Sequence, residues 1–522
     1  MATIQKGGEK IGKKYLSLIL IISLILIGIT SVNAADDANQ TLNMEEIEVD
    51  DSTDVLSTPN TDLESRISNA KNGEKILIEP GTYKIHNVMI SKNITLQGKG
   101  NPDDIIIDGE KKSSIFLIRS PDVYVTFKNI TFINGLTDNF GGAISIETGH
   151  VTVDNCIFIN NTALENTNAG GISNYGTKED RGYLMLTNSL FLNNHADHDG
   201  GAVTTCYADS YIYNCVFINN SARRDGGAIR VSISGYGHVE DCIFMFNHAD
   251  EWGGAYYSWS GESDIRRCIF MNNTAGTNGG AVMVSGNINL QDSIIVNNDG
   301  GEVGGSFYIQ QPMYNKKTVI NVHDNIITNN TSPLGKEIFI SWKNTENLYT
   351  QFDNNDWGDE DPNNSSIIDP KNVTSRSKVS KTIKSNLFER LNVNLLDKYQ
   401  NYLKDFFPDD SLNDLKKQFK NPEPSQKPGI PSSNIIDDVL SVNNTNTVTI
   451  PSQTAKQTAN VNNIKTVGNS SSVGSYDKSA YELDEKPSAS KETNLDLKYV
   501  IIFSVLALLL LIFGYKIYKK EE

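Results

Sequence analysis

Between Ile130 and Asn330 one short pattern recurs about every 26 residues. In its clearest copy Cys215 is followed by Phe217, by Asn219 and Asn220, and, eleven residues on, by Gly226-Gly227-Ala228-Ile229. With the cysteine as position zero, the plus-two residues are Phe132, Phe158, Phe191, Phe217, Phe244, Phe270, Ile295 and Ile327. The plus-five residues are Gly135, Asn161, Asn194, Asn220, Asn247, Asn273, Asn298 and Asn330, and glycine pairs begin at Gly141, Gly170, Gly200, Gly226, Gly253, Gly279 and Gly304. Short Ile/Val/Phe runs broken by Gly and Asn read as strands and tight bends. Strands this short bury no face alone, so each copy must stack on the next. The expected fold is all-β, a parallel β-helix of ten to twelve coils, with coils about 4.8 Å apart and a length of about 50 Å.

The spacing locates the corners. Position zero to the first glycine is eleven residues in six of the seven copies with a pair; Cys156 to Gly170 is fourteen. From the pair to the next position zero the gap runs from 14 to 21 residues. One corner is therefore fixed, and the loops, longest at Ser173–Tyr183 and Gln310–Lys317, lie opposite, on the face expected to bind. The plus-five Asn is expected to turn the corner in left-handed geometry and to hydrogen-bond up its column. The glycine pair suits a bend where a Cβ would clash.

The strand after the glycine pair alternates. Ile144, Ile146, Ile229, Val231, Val282 and Val284 should face inward, and Ser145, Arg230 and Met283 outward. The position-zero strand does not alternate. Its plus-one residues (Ile157, Leu190, Val216, Ile243, Ile269, Ile294, Ile326) and plus-three residues (Ile133, Ile159, Leu192, Ile218, Met245, Met271, Val296) are apolar as well as its plus-two residues. Such a sheet should be covered on both sides. Residues 386–407 carry Leu387, Leu391, Leu395, Tyr399, Leu403 and Phe406 at near-helical spacing before Pro408. A helix of that length would span about 33 Å and is expected to lie along the outer face of the phenylalanine sheet; the alternative is a mobile or end-capping helix.

These paired Gly-Gly-Ala-aliphatic and Phe-x-x-Asn motifs, as in Gly141-Gly142-Ala143-Ile144, Gly279-Gly280-Ala281-Val282 and Phe158-Ile-Asn-Asn161, resemble the repeats of chlamydial polymorphic membrane proteins. They resemble still more the adhesin-like surface proteins of methanogenic archaea. The resemblance covers roughly residues 60–370. It implies a right-handed β-helix of the pectate-lyase type, displayed at the cell surface and mediating adhesion. The chlamydial proteins end in a membrane barrel, whereas this chain ends in one apolar stretch.

The flanks divide the chain further. Residues 1–34, with Lys6, Lys10, Lys13 and Lys14 ahead of an apolar run, read as a signal peptide cut after Ala34, with a retained anchor as the alternative. An acidic segment, 35–59, precedes the β-helix at 60–370. There Thr61-Asp-Leu-Glu64 forms a capping box, and Leu63, Ile67 and Ala70 share one face of a short helix expected to cover the first coil. Phe352 to Gly358 and the Asp/Asn/Pro-rich run to Pro370 should close the β-helix. An amphipathic helical segment (371–420), a Ser/Thr/Asn/Pro-rich stalk (421–494), a transmembrane helix (495–518) and a cytoplasmic tail (519–522) follow. The net charge of −17 argues against nucleic-acid binding. Cys156, Cys215, Cys242 and Cys268 share position zero with Ser189 and Ser293 and read as small buried side chains rather than disulfides; Cys206 lies outside that column. Among the Asn-x-Ser/Thr sequons, those of the stalk such as Asn443 and Asn469 read as glycan acceptors, and Asn160 and Asn219 as structural.

Residues that could carry chemistry are few. Asp197, Arg223 and Asp250 share one repeat position, and His198, Arg224 and Glu251 the next, which predicts a surface ion ladder. His195, Asp197, His198 and His248 are candidates for a metal site, but their spacing matches no metal signature. Asp241, Asp292 and Asp324 recur just before position zero, interrupted by Arg267. Gly149-His150 and Gly237-His238 only weakly match a polygalacturonase Gly-His-Gly. No catalytic, cofactor or metal residue is assigned. The expected function is that of a membrane-anchored surface adhesin binding glycans or proteins of other cells. A surface polysaccharide lyase or hydrolase and a passive envelope component are the alternatives.

Overall fold

Three parallel sheets wind through the coils, of eighteen, ten and six strands. The computed structural model describes residues 62–311, 317–341, 348–358, 367–368, 387–407 and 411–420. These belong to one compact unit, Met1–Thr458. The expected signal peptide, acidic segment, stalk, transmembrane helix and tail lie outside the described residues. Among the described residues no helix is long and apolar enough to cross a membrane.

The ten-stranded sheet holds the position-zero strands, one per coil. Its register places Phe132, Phe158, Phe191, Phe217, Phe244 and Phe270 in one file, continued by Ile295 and Ile327. All are fully buried. From Phe132 to Phe270 the ring centroids are 4.8, 4.5, 5.0, 4.8 and 4.6 Å apart, with interplanar angles of 17° or less. Coil spacing imposes this face-to-face stack on rings that would otherwise offset or tilt.

The plus-five asparagines form a buried ladder. Each side-chain amide donates to the next coil's Asn Oδ1 and to the carbonyl of the plus-two residue one coil back. Asn220 Nδ2 thus reaches Asn247 Oδ1 at 3.0 Å and Phe191 O at 3.0 Å. The next Oδ1 also accepts the backbone N–H, at 3.0 Å for Asn220 N and Asn247 Oδ1. The ladder begins at Gly135 N, bonded to Asn161 Oδ1, and ends where Asn330 Nδ2 meets Glu337 Oε2 at 2.6 Å. The left-handed turn expected at plus five sits one residue earlier. Asn134, Asn160, Asn193, Asn219, Asn272, Asn297 and Asn329, with Phe246 in the same column, have φ between 50° and 59°. The residue before position zero is left-handed too, including Asn155, Asp241 and Arg267. Two adjacent asparagines thus divide the work: the first bends the chain and the second ties coils together.

Position zero adds a second relay. Its side chain accepts the backbone N–H of the preceding coil's zero residue, as Cys242 Sγ does from Cys215 N at 3.4 Å and Ser189 Oγ from Cys156 N at 3.0 Å. All five cysteines are free and buried, Cys206 included. Cysteine at this position therefore substitutes for serine as a weak hydrogen-bonding group, beyond the small-hydrophobe role expected of it.

The first glycine of each pair is left-handed, for example Gly226 at φ 67°. The second has no room for a Cβ: one on Gly227 would lie 2.1 Å from Gly254 O in the next coil. In the irregular copy the residue equivalent to the first glycine is Ala169, with φ 65°, rather than Gly170. Gly335 supplies a further copy beyond Gly304.

Ser145, Arg230 and Met283 are buried, not outward, as are Ser173, Thr204 and Tyr257 in the same column. The glycine corner folds against that side of the strand. Arg230 Nε lies 3.0 Å from Asp199 Oδ2, which explains how a cation tolerates burial.

Residues 387–407 do lie on the outer face of the phenylalanine sheet. Leu387, Leu391, Leu395, Tyr399, Leu403 and Phe407 join one buried cluster with the plus-one and plus-three columns, and Leu412 and Leu415 extend it. The segment is not one helix. It breaks into Leu387–Arg390, Asn394–Lys398 and Gln400–Leu403, followed by Ser411–Lys420. Polar tethers hold the strap to the coils: Asn392 Nδ2 donates to Asn214 Oδ1 (2.8 Å), Tyr399 to Asn188 O (2.5 Å), and Tyr402 to Asp103. Arg390 pairs with Asp292 at 2.8 Å, so the strap runs from a late coil toward the first ones.

At the N-terminal end the helix Leu63–Asn69 buries Leu63 and Ile67 in the core cluster, with Ala70 just beyond it. Its N-cap is Asp62, which accepts Glu64 N–H at 3.2 Å, in place of the expected Thr61 box. At the other end Phe352 and Trp357 are buried in the same cluster, and Asn355 hydrogen-bonds Asn325 and Val322.

Candidate functional site

Among the described residues, no strap covers the outer face of the long sheet in the strands leading to position zero. Strand alternation sends positions −2, −4 and −6 outward. Register stacks them into three files. The first runs Tyr124, His150, Tyr183, Asp209, Tyr236, Glu262 and Asn287. The second includes Met185, Tyr211, His238 and Asp264, and the third Thr187, Tyr213, Glu240 and Arg266. Rings from the three files touch in a continuous chain. Centroids are 4.3 Å apart for Tyr124–His150, 5.6 Å for His150–Tyr183, 5.5 Å for Tyr183–Tyr211, 5.7 Å for Tyr211–Tyr236, 6.3 Å for Tyr211–His238 and 5.2 Å for Tyr213–His238. Tyr124 is 55% exposed, and Tyr349, 56% exposed, carries Lys317 4.7 Å from its ring. The loop expected to face ligand reaches this surface, where Arg181 pairs with Asp209 at 2.5 Å.

Charges on this face are paired. His238 lies 3.1 Å from Asp264 through Nδ1 and 2.8 Å from Glu240 through Nε2. Burial works to lower its pKa, but the hydrogen bonds to Asp264 and Glu240 outweigh it and raise it from 6.5 to about 9. Burial would raise Asp264, yet His238, Arg266 and Asn289 hold it well below the usual carboxylate range. The His238 hydrogen bond, aided by Arg267 against burial, keeps Glu240 low as well. Burial pushes Tyr213 and Tyr236 up to about 12. At neutral pH His238 is therefore a cation between two anions, suited to holding the surface rigid and not to taking a proton. The imidazole of the other Gly-His motif, His150, is stacked flat on Tyr124.

The candidate metal residues do not converge. His195 Nδ1 meets Ser221 Oγ at 2.8 Å and its Nε2 lies 3.3 Å from Asp197. His248 repeats this one pair of coils on, with Thr274 at 2.7 Å and Asp250 at 3.1 Å. His198 turns to a different, buried group, contacting Asp199 at 2.9 Å and Arg224 at 2.5 Å. Among the described residues no group of three or more His, Cys, Asp or Glu side chains is placed to hold a metal ion. The hydroxyl–imidazole–carboxylate chains sit on a corner whose N–H groups are spent in the ladder, as Ser221 N is on Asn194 O and Thr274 N on Asn247 O at 2.9 Å. The backbone N–H groups of Ser221 and Thr274 are therefore not free to hold an oxyanion. Arg267 and Asp241 form an ion pair at 2.8 Å, so the acidic file before position zero is neutralised where the two meet.

Sequence reasoning missed the aromatic face, although the signal was present. Reading back two, four and six residues from Cys215 and Cys242 gives Tyr213, Tyr211 and Asp209, then Glu240, His238 and Tyr236.

Comparison with known proteins agrees with the repeat. Residues 214–232 and 267–285 match the Chlamydia polymorphic membrane protein repeat. SHC SH2 domain-binding protein 1 of Mus musculus is 34% identical over 98 residues, 19% of this chain and 14% of that protein. Its Homo sapiens counterpart is 27% identical over 153 residues, 29% of this chain and 21% of that one. The chain thus spans about a fifth or less of these curated relatives. Among solved structures, the PL6 family alginate lyase AlyGC aligns with a TM-score of 0.27 at 12% identity, covering 61% of this chain and 52% of the lyase. The PL6 family lyase Pedsa3628 from Pseudopedobacter saltans gives 0.29 at 13%, covering 61% and 96%. Likenesses this loose decide nothing about chemistry. What the match does establish is that two of the coils, at residues 214–232 and 267–285, carry a repeat of the chlamydial polymorphic-membrane-protein type.

Proposed function

We propose that the chain is a membrane-anchored, adhesin-like protein of the cell surface, whose β-solenoid binds glycans or proteins of other cells. The match to the repeat of a membrane-protein family supports the surface location. The observation that carries the binding role is the chain of rings from Tyr124 to Tyr213, uncovered among the described residues and edged by Asp209, Glu262 and Arg181. Tyrosines offer wide, rigid contact area with a polar tip at low entropic cost, which suits recognition of sugars and protein surfaces. The fixed ion pairs keep that surface preorganised.

The test is binding of the purified chain to glycan arrays and a panel of whole cells, beside a Tyr183→Ala/Tyr211→Ala variant. Binding by the parent chain and loss in the variant is the expected result. Equal binding by both removes the aromatic face from the account. Release of unsaturated or reducing sugar ends would instead favour the lyase or hydrolase reading, and silence across the whole panel a passive envelope component.

A further inference from the structure

The two adjacent asparagines of each corner differ in what a modification would cost. Asn220 and Asn330 are buried, and their amide hydrogens are committed to the ladder. Asn219 and Asn329, one residue earlier, are exposed at the left-handed bend, with φ 50° and 59°. Among the described residues Asn219 Nδ2 donates to Asn193 Oδ1 alone, at 2.8 Å on the surface. The residue at plus six decides which of these corners is a sequon. Along the coils it reads Thr162, His195, Ser221, His248, Thr274, Asp299 and Thr331. Hydroxyls therefore fall on alternate coils, and with them the acceptors Asn160, Asn219, Asn272 and Asn329, about 10 Å apart along the axis.

We propose that Asn219 and Asn329 carry asparagine-linked glycans, so that one corner of the solenoid bears a spaced file of oligosaccharide beside the strap. The co-reactant is a polyprenyl-phosphate-linked oligosaccharide. Nδ2 bonds to its anomeric carbon, the lipid phosphate leaves with the bonding pair, and one amide proton is released. The modified amide keeps one hydrogen, enough for Asn219 to go on donating to Asn193. The same reaction at Asn220 would remove the hydrogen from one of two buried bonds and set the sugar inside the ladder. Asn160 and Asn272 are half-buried and come second. Phe246, in the same column on an intervening coil, packs against Phe406 and Phe407 with centroids 5.6 Å away. The glycan file therefore borders the strap and would shield its edge. This inference rests on the surface location proposed above.

The experiment is glycopeptide mass spectrometry on the full-length chain from a secretory host. One glycan each at Asn219 and Asn329, and none at Asn220 or Asn330, is the expected result. Asn219→Gln and Thr331→Ala should each remove the mass of one glycan; the second leaves the asparagine corner intact, so a folding defect cannot mimic it. Bare Asn219 and Asn329 overturn the inference. If Asn443 or Asn469 is then glycosylated, the surface reading survives alone; if no site is occupied and the chain stays in the cytoplasm, both fail.

Discussion

The two outer faces of the solenoid solve opposite problems. On the phenylalanine sheet the outward residues are Ile, Leu, Val and Met, and helices from 387–420 cover them. On the long sheet the outward residues near position zero are Tyr, His, Asp, Glu and Arg, and they pair with one another in the open. Both faces rest on the same ladder of backbone hydrogen bonds. The difference teaches that here the outward files, not the coil itself, decide whether a surface needs a partner.

Deleting 387–420 should produce the largest effect. It would bare two apolar files along most of the coils, and dye binding and self-association should rise steeply; unchanged dye binding would show that the strap is ornamental. Next is Asn247→Ala, which takes the side-chain partner from Phe217 O and Asn220 N and one of the partners from each neighbouring side-chain amide. Each buried group left unsatisfied costs about 1–3 kcal/mol, so a loss of at least 3 kcal/mol is expected in denaturant titration. Leu403→Ala, in the strap, should cost about 2 kcal/mol or more, because the residue is fully buried. A loss near zero would make the strap a loose cover. On the open face, Tyr211→Ala should change stability by about 1 kcal/mol or less while weakening ligand binding.

The smallest effect is in pH. His238 has a raised pKa, so its contribution is complete below pH 6.5 and is lost as pH rises through about 9. Stability measured across that window should fall in the parent chain and flatten in His238→Gln. An equal slope in both would place the titration elsewhere.

Much of the fold was legible because identical residues stack on identical residues. Phe158, Phe217 and Phe244 announced one file, and the apolar plus-one and plus-three residues announced a missing cover, with its occupant visible at 387–407. The division of labour between Asn219 and Asn220 was not legible, since both are asparagines and only burial separates them. Ser145, Arg230 and Met283 were assigned outward because alternation names two sides of a strand without saying what lies beyond either. The metal candidates failed for a related reason. His195 and His198 are three residues apart but fall on opposite sides of a corner.

Sequence periodicity by itself determined the coil, its register and its core, because a parallel stack makes neighbours of residues one period apart. Only the tertiary structure decided which outer face is roofed and which stays open, how the strap bends to follow Asn214, Asn188 and Asp103, and which charges meet. Those contacts join residues 98 to 299 positions apart, and no period in the chain encodes a distance of that kind.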